Sequence, residues 1–202
     1  MEIMKICLSD VCDVRSGFTA RGRLEEEADG VPVLQLRDVT DSAAIDPSLL
    51  MRSKFRGSVE RYLAGAGDVV FRSRGERNIA ARLDSRFVEP AVAVLPILIL
   101  RPKVRILPEY LVWAINQPEA QRHFDADARG ATIRMIPKAS IESLELEVPD
   151  VATQKMVVEI DTLSRREAEL TMELIDKRRR LVAQCIQSRI RNAPDNGKQG
   201  RK

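Results

Sequence analysis

Three arginines and one asparagine lie close together in a stretch of seven residues whose chemistry suits the edges of DNA bases. In order, with the serine between them, they are Arg72, Ser73, Arg74, Arg77 and Asn78. An arginine can donate two hydrogen bonds to guanine, at O6 and N7, and an asparagine can pair with N6 and N7 of adenine. The spacing therefore indicates a loop that reads sequence in the major groove. A plain solvated loop has a similar composition, so the residues alone leave that interpretation open.

The charge of the chain is unevenly distributed, although its formal total is only +3. Residues 51–86 hold nine basic and four acidic residues, whereas residues 1–50 hold five basic and ten acidic ones. A protein that binds along phosphates needs such a local excess even when its total charge is small. At the start of the basic stretch we expect Arg52, Lys54 and Arg56 to contact phosphates, which position a protein without reading sequence.

The chain lacks the short motifs that mark common catalytic sites. It contains no GxGxxG, no Walker loop, no HExxH and no Asp/Asn-Pro-Pro-aromatic tetrapeptide, with which amino-methyltransferases hold a flipped base. Its one histidine, His123, stands beside Phe124, where a packing or surface role is commoner than catalysis. The glutamates at 25–27 are typical of a solvated run. We therefore predict no catalytic residues, no metal and no cofactor in this chain.

The cysteines and the apolar segments indicate a protein of the cytoplasm. The three cysteines form neither a CxxC pair nor a zinc ribbon: Cys7, Cys12 and Cys185. They are expected to be free thiols in a reducing compartment. The longest apolar run, residues 91–100, contains Pro96 and is too short to cross a bilayer. The N-terminus has no basic-then-apolar leader.

The secondary structure predicted along the chain indicates an α+β fold, with one globular domain over residues 1–150 that positions these residues. Strands and helices alternate without a βαβ rhythm, which favours a twisted, mainly antiparallel sheet with flanking helices. Strands are predicted at residues 31–39, 68–72, 79–83 and 141–148, with one or two more at 91–100. Helical segments are predicted at residues 8–14, 58–63 and 109–115, and an exposed loop at 16–30.

A long amphipathic helix is predicted from residue 153 to about residue 186, with Thr153 as its cap. Its seam, read as a heptad repeat, is Met156, Ile160, Leu163, Glu167, Leu170, Leu174, Lys177 and Leu181. Such a stripe indicates a partner helix, and charged residues at seam positions fix its register. We therefore assign residues 151–188 to a dimerisation and spacer helix. The basic tail, residues 189–202, is predicted to be disordered.

Several short segments, in their order along the chain, resemble one protein family. They are LSDVCDVRSGFT, VPVLQLRDVT, YLAGAGDVVFRSRG, ILPEYLVWAIN and RGATIRMIPKASIESLELEVPDVATQ. Together with the long helix they resemble the target recognition domain and conserved helix of the specificity subunit of type I restriction-modification enzymes. The chain departs from the family pattern at Thr153, where an acidic residue is common. It also has one domain and one helix, whereas a full subunit has two of each.

The resemblance implies a non-catalytic subunit for DNA recognition in a phage-defence system. Its domain would read half of a split site in double-stranded DNA through loops in the major groove. Methyltransferase (modification) subunits, which bind S-adenosylmethionine, would clasp the helix and methylate adenine, and the presence of a restriction subunit is left open. The loops implied to face DNA are Ser16, Gly17, Phe18 and Thr19, then residues 72–78, then residues 130–134, which include Thr132 and Arg134.

One domain with one helix makes a two-fold homodimer with antiparallel helices the simplest closed assembly. Such a dimer would read a palindromic site split by unspecified bases. At about 1.5 Å per residue the helix reaches roughly 50 Å, which predicts half-sites on the order of 15 base pairs apart. Three alternatives stay open: a coiled-coil protein-interaction module, a nuclease or methyltransferase fragment, and a split half that needs a different second half.

Overall fold

The computed structural model describes residues 5–40, 45–75, 77–103, 105–128, 130 and 134–191. The chain divides into two compact units, Met1–Val158 and Glu159–Lys202. The strands and the shorter helices all lie in the first unit. The described part of the second unit is the continuation of one helix. Within the described residues, no helix is both long and apolar enough to cross a membrane.

Ten short strands form three sheets in the described part of the first unit. In chain order they are β1 Lys5–Cys7, β2 Cys12–Ser16, β3 Val31–Leu34, β4 Arg52–Ser53, β5 Leu63–Ala64, β6 Val69–Arg72, β7 Ala80–Arg82, β8 Ala91–Ala93, β9 Ile97–Pro102 and β10 Glu145–Glu147. One antiparallel sheet has the order β2-β9-β6-β7. The second has the order β4-β3-β8-β5, with a parallel pair at β3 and β8. The third pairs β1 with β10.

Five helices complete the described fold: α1 Leu8–Val11, α2 Pro108–Ile115, α3 Pro118–Asp127, α4 Lys138–Glu142 and α5 Val151–Arg191. Three short 3₁₀ turns lie at Leu36–Asp38, Pro47–Leu49 and Glu60–Tyr62. Proline is the first residue of both α2 and α3. Its missing N–H costs nothing at that position, because the first N–H groups of a helix have no partner within it.

The sheet that contains β6 and β9 is buried on both faces. Val69 and Phe71 face the cluster that includes the four shorter helices, and Val70 faces a second apolar cluster on the other side. Along β9, Ile97 and Ile99 likewise belong to the second cluster. Side chains of a strand alternate between the two faces, so a sheet covered on both sides is apolar at every position. This explains the long apolar run that the sequence shows at residues 91–100.

The predicted α+β class is confirmed, with mainly antiparallel pairing, but the strands form three small sheets rather than one. The predicted strand at 31–39 ends at Leu34. After Gln35 the chain turns into the 3₁₀ segment Leu36–Asp38, because the Asp38 carboxylate accepts a hydrogen bond of 2.7 Å from the Gln35 N–H.

Two further predicted elements were right over only part of their length. The helix predicted at 8–14 is only four residues long, and the chain then continues as β2, whose Val14 pairs with Leu100 of β9. The strand predicted at 141–148 is a short helix, α4, followed by the three-residue strand β10. Ile141 therefore lies in a helix, where it is fully buried. In both places a run of apolar residues was too short for its period to separate helix from strand.

The long helix begins at Val151 and is capped by Asp150 rather than by Thr153. The Asp150 carboxylate accepts hydrogen bonds from the Thr153 N–H at 3.0 Å and from the Thr153 hydroxyl at 2.9 Å. These bonds lower the pKa of the Asp150 carboxyl below its ordinary value. A carboxylate at this position also interacts favourably with the N-terminal end of the helix dipole.

The first turns of α5 are held in the first unit by a buried side-chain amide, that of Gln154. Gln154 is fully buried, and its Oε1 accepts a hydrogen bond of 2.9 Å from the Leu107 N–H. Its Nε2 donates to the carbonyl oxygens of Arg105 at 3.0 Å and Pro149 at 2.8 Å. Gln154 thus joins the start of the helix to the segment before α2. The valines at 157 and 158 pack against the same apolar cluster.

Candidate nucleic-acid interface

A single turn at residues 94–97, which we call the hub turn, gathers the loops that the sequence singled out. The Gly17 N–H donates to the Ile97 carbonyl at 3.0 Å, and the Leu95 N–H donates to the Phe18 carbonyl at 3.0 Å. From the other side, the N–H and hydroxyl of Ser73 both donate to the Pro96 carbonyl, at 3.0 and 2.7 Å. The loop after β2 and the loop between β6 and β7 therefore meet at one turn.

The third predicted loop joins them through the segment after residue 133. The Ile136 N–H donates to the Ser73 carbonyl at 2.7 Å, and the Gly75 N–H donates to the Arg134 carbonyl at 3.3 Å. Arg74 and Met135 form an antiparallel bridge between these bonds. The structure thus brings together residues from all three predicted loops. Thr132 lies outside the described residues, and Gly130 is exposed.

Three of the predicted contact residues lie inside the fold. A methyl group added to Gly17 would lie 2.8 Å from the carbonyl oxygens of both Ala93 and Ile97, so only glycine fits there. Ser73 is fully buried, and Asn78 is 7% exposed with its Nδ2 bonded to the Arg72 carbonyl at 3.1 Å. Their polar groups are used to hold the loops, so we leave these three residues out of the proposed DNA contacts.

Three of the predicted basic contacts are already paired with carboxylates. Arg52 makes two parallel bonds to Glu89, at 2.9 and 3.0 Å, and this pairing raises the pKa of Arg52. Lys54 lies 2.9 Å from Glu27. Arg134 lies 3.0 Å from Asp125 and also donates to its carbonyl. The basic stretch of the sequence is therefore partly neutralised in the fold.

The remaining predicted residues are open to solvent. Arg56 and Arg74 are exposed, and neither guanidinium pairs with a carboxylate in the described part of the chain. Ser16, Thr19 and Arg77 are exposed as well. Arg56 and Arg74 are therefore available to bases or phosphates without first breaking an ion pair in the described part of the chain.

Arg72 lines a cleft of about 1040 Å³ beside the hub turn, which we call the arginine cleft. Arg23 and Arg37 line it too, together with Gln35. Glu25 and Glu26 also face this cleft, so its charged residues nearly balance. Gly75, at a φ of +126°, keeps room for the Arg72 guanidinium, since a methyl group there would lie 2.7 Å from Arg72 Nη2.

A second cleft, of about 820 Å³, adjoins it and is lined by three aromatic rings and four cations. We call it the aromatic cleft. Its rings are Phe18, Phe55 and Tyr62, and its cations are Arg21, Arg23, Lys54 and Arg56. Among the described residues, no acidic side chain lines this cleft. Arg23 lines both clefts, so the two form one continuous surface.

The sequence interpretation missed Arg21, Arg23, Arg37 and Gln35. Arg21 and Arg23 lie in the net-acidic first part of the chain, where the following glutamates masked them in the charge count. In the fold Glu27 pairs with Lys54, and Arg21 and Arg23 are exposed without a carboxylate partner among the described residues. The alternation of arginine and glycine just after Thr19 was the available signal.

His123 is engaged in packing and one hydrogen bond. Its Nε2 lies 2.9 Å from the Ser140 carbonyl oxygen, which can only accept, so this nitrogen carries the proton. Its ring packs edge to face with Phe124. The Ser140 hydroxyl is buried without a hydrogen-bond partner and is not bonded to His123. In the described part of the chain no cluster of side chains suited to a metal is found.

The predicted seam of α5 is exposed along its length. Ile160, Leu163, Leu174 and Leu181 are each about 60–67% exposed, and Leu170 is 47% exposed. The seam lysine, Lys177, pairs with Glu173 one turn earlier, at 2.8 Å.

A second apolar stripe, which the heptad reading missed, lies on the distal half of α5. Its residues are Met172, Ile175, Val182, Ile186 and Ile190, all of them exposed. At 3.6 residues per turn this stripe lies roughly 130° around the helix from the seam. The distal half of α5 is thus apolar on two sides.

Solved structures of type I restriction-modification proteins share this fold. A chain from a type I R-M system, in a structure that concerns complex assembly and conformational transition, aligns with 92% of this chain at 19% identity and a TM-score of 0.67, over 45% of its own length. The HsdS subunit from Thermoanaerobacter tengcongensis aligns with 83% at 19% identity and a TM-score of 0.58, over 38% of its length.

The S subunit of the type I restriction-modification system from M. genitalium aligns with 88% of the chain at 13% identity and a TM-score of 0.51, over 43% of its length. The chain therefore spans less than half the length of the solved chains it matches. At these identities the likeness establishes the fold. No family model and no curated protein matches the sequence.

Proposed function

We propose that this chain is a sequence-specific DNA-recognition subunit of a type I restriction-modification system, a specificity subunit with one recognition domain. The observation that carries the proposal is the fold that 92% of the chain shares with a protein of such a system. Convergence of the three loops supports it, because residues far apart in sequence then form one surface that carries the exposed arginines Arg74 and Arg77.

The exposed side chains differ in the part of DNA that they could contact. Arg74 and Arg77 lie on the loop between two strands, and such a loop can enter the major groove, where arginine reads guanine. Ser16 and Thr19 lie on the neighbouring loop. Arg56 and the arginines of the two clefts contact phosphates in this proposal and so fix the position of the domain on DNA. Arg52, Lys54 and Arg134 mainly hold loops in place through their ion pairs.

Two copies of the chain pair through α5 in the proposed assembly. Antiparallel pairing about a two-fold axis brings the exposed seam of one helix onto that of the other and covers the leucines of both. The recognised site is then an inverted repeat. Residues 159–191 of α5 reach roughly 50 Å, which corresponds to half-sites on the order of 15 base pairs apart.

Methyltransferase subunits are the proposed partners of the second stripe. A pair of helices covers one side of each helix, and the stripe that begins at Met172 lies on another side. An amphipathic helix of a second protein would bury it. S-adenosylmethionine and the chemistry on adenine belong to that partner, and this chain supplies recognition in the cytoplasm. A restriction subunit would add cleavage.

Selection of duplexes from a random library by the purified chain tests the proposal. We expect enrichment of an inverted repeat with an unspecified spacer. Affinity for it should fall steeply as salt rises, because each phosphate contact releases about 0.9 of a counterion. If no sequence is enriched and affinity does not respond to salt, the proposal is wrong and a protein-interaction module becomes the better interpretation.

Variants of two arginines distinguish contacts that read bases from contacts that position the domain on phosphates. Arg74→Ala should lose about 1–3 kcal/mol of discrimination at one position of each half-site. Arg56→Ala should weaken all sequences equally and reduce the salt slope by about one. Arg122→Ala removes an exposed arginine of α3 that is paired with Glu119, and it serves as the control.

Two further measurements address the remaining alternatives. The mass of the purified chain in solution distinguishes an identical partner from a different second half, since a strict monomer favours the latter. The chain alone, given DNA with S-adenosylmethionine or magnesium, should not react. Turnover that a single substitution in this chain abolishes would instead assign catalysis to it.

A further inference from the structure

The aromatic cleft combines ring faces with cations in a way that a duplex does not need. We propose that it binds an unstacked nucleotide, as presented by single-stranded or locally unpaired DNA. The proposal goes beyond recognition of a duplex sequence. It shares the phosphate contacts Arg21, Arg23 and Arg56 with the proposed function. The ring faces serve the unstacked nucleotide alone, so each proposal can be correct while the other fails.

The three rings of the cleft are held in fixed positions. Phe18 is nearly perpendicular to both Phe55 and Tyr62, with ring centroids 5.1 and 5.3 Å apart. On their inner side the rings pack against Val33, Val92 and Val94, which belong to or follow the parallel strands β3 and β8. All three rings are only half-buried. A platform fixed in this way loses little conformational freedom when a base stacks on it.

Phe55 is the ring best placed to receive a base. The face of Tyr62 is covered by the guanidinium of Arg61, whose Cζ lies 4.6 Å from the ring centroid. Phe18 is in contact with both of the other rings and bridges to Val94. Phe55 contacts Phe18 and lines the cleft between Lys54 and Arg56.

None of the described residues that line this cleft has a carboxylate that could compete with a phosphate for its cations. Arg21, Arg23 and Arg56 are exposed and make no ion pair within the described ranges, whereas Lys54 is paired with Glu27. The arginine cleft differs, because Glu25 and Glu26 line it. A volume of about 820 Å³ is large enough for a nucleotide. Aromatic rings surrounded by cations are the usual means of holding single strands.

The exposed ring faces favour an unstacked base over a duplex as the ligand of this cleft. Bases in a duplex are stacked on one another and show only their edges in the grooves, so a protein ring cannot stack on them. An unstacked base shows its whole face, and stacking on an aromatic side chain favours binding strongly and with little dependence on sequence. The chemistry of the cleft therefore fits an unpaired nucleotide better than paired DNA.

The test compares labelled single-stranded oligo-dT with a random duplex of equal length, bound to the full chain. Phe55→Leu keeps an apolar side chain but removes the ring. We expect it to weaken single-strand binding about tenfold or more and to change duplex binding less than about twofold. Arg122→Ala should change neither. Equal losses for both ligands, or no binding of oligo-dT by the unsubstituted chain, would overturn the proposal.

A second measurement needs no substitution and so does not depend on whether Phe55→Leu folds. Oligo-dT that carries one iodouracil is bound to the unsubstituted chain, and the complex is irradiated. The crosslinked peptide is then identified by mass spectrometry. A crosslink to Phe55, Phe18 or Tyr62 is the expected result. Crosslinks confined to peptides without these residues would contradict the proposal, even where selection from duplexes succeeds.

Discussion

The two units of the chain treat their apolar residues in opposite ways. In the first unit the large apolar side chains fill clusters on both faces of the β6 and β9 sheet. In the second unit they stand exposed on a single helix, where Leu174 is 67% and Ile190 is 69% exposed. A lone helix draws most of its stability from burial of an apolar face. We therefore expect the first unit to carry its own stability and propose that the second depends on a partner.

The largest effect on this contrast is expected when the seam of α5 can no longer pair with a second helix. Leu170→Asp together with Leu174→Asp should weaken self-association about 1000-fold or more, because each leucine contributes about 1.5–3 kcal/mol on burial and occurs twice in a two-fold dimer. Sedimentation analysis measures the change. Gln187→Asp, away from both stripes, is the control. A mass that is unaffected by the double substitution would show that the seam is not the interface.

The next largest effect is expected inside the first unit. Gln154→Leu leaves the Leu107 N–H and the carbonyls of Arg105 and Pro149 without their partner, which should lower the free energy of unfolding by about 2–4 kcal/mol. Urea unfolding gives this value. Gln187→Leu, on the exposed distal part of the same helix, should have almost no effect. Similar losses in the free energy of unfolding for both glutamine variants would show that the two parts of α5 do not differ in their contribution to stability.

Charge at the seam should matter less. In an antiparallel pair centred near residue 172, Glu167 of one chain lies opposite Lys177 of the other. Reversal of either charge should weaken self-association about two- to thirtyfold, since exposed ion pairs contribute about 0.2–1 kcal/mol each and this pair occurs twice in a two-fold dimer. Lys177 also keeps Glu173 as a local partner. Reversal of both should restore affinity in a double-mutant cycle, and additive losses would exclude this register.

The smallest effect concerns the cap of α5 and depends on pH. The folded pKa of Asp150 is lowered from its ordinary value of 3.8 by hydrogen bonds from Thr153. Its contribution is therefore present above that value and is lost as pH falls through the lowered pKa. Asp150→Ala should be less stable than the unsubstituted chain at pH 7. The difference should shrink in thermal unfolding below about pH 3.8, and a constant difference would argue against the cap.

The sequence predicted the fold best where periodicity was long. The helix α5 was recognisable because its apolar residues repeat over many turns, and the strands on either side of Pro96 were recognisable as one long apolar run. Residues 8–14 and 141–148 were misread because a short apolar run satisfies both helix and strand periods. The division into three sheets depends on pairing between distant strands, such as Val33 with Val92, which no local pattern contains.

The candidate site was predictable by region but not by residue. The basic stretch and the three loops were found from composition and resemblance. Ser73 and Asn78 have the side-chain types of DNA contacts, but their hydrogen bonds are used within the fold. Arg52 is paired with Glu89, 37 residues away in sequence. Conversely, Arg21 and Arg23 were hidden by the glutamates that follow them. Ion pairs between distant residues decide which arginines are available.

The hub turn also affects how the sequence of such a protein can evolve. Its bonds to Gly17, Phe18 and Ser73 of the surrounding loops run through main-chain atoms, apart from the bond donated by the Ser73 hydroxyl. Substitution of exposed positions such as Thr19 or Arg74 leaves those bonds in place. Under the proposed function, new preferences for bases would therefore arise by mutation at the tips of the loops, while the framework beneath them is inherited unchanged.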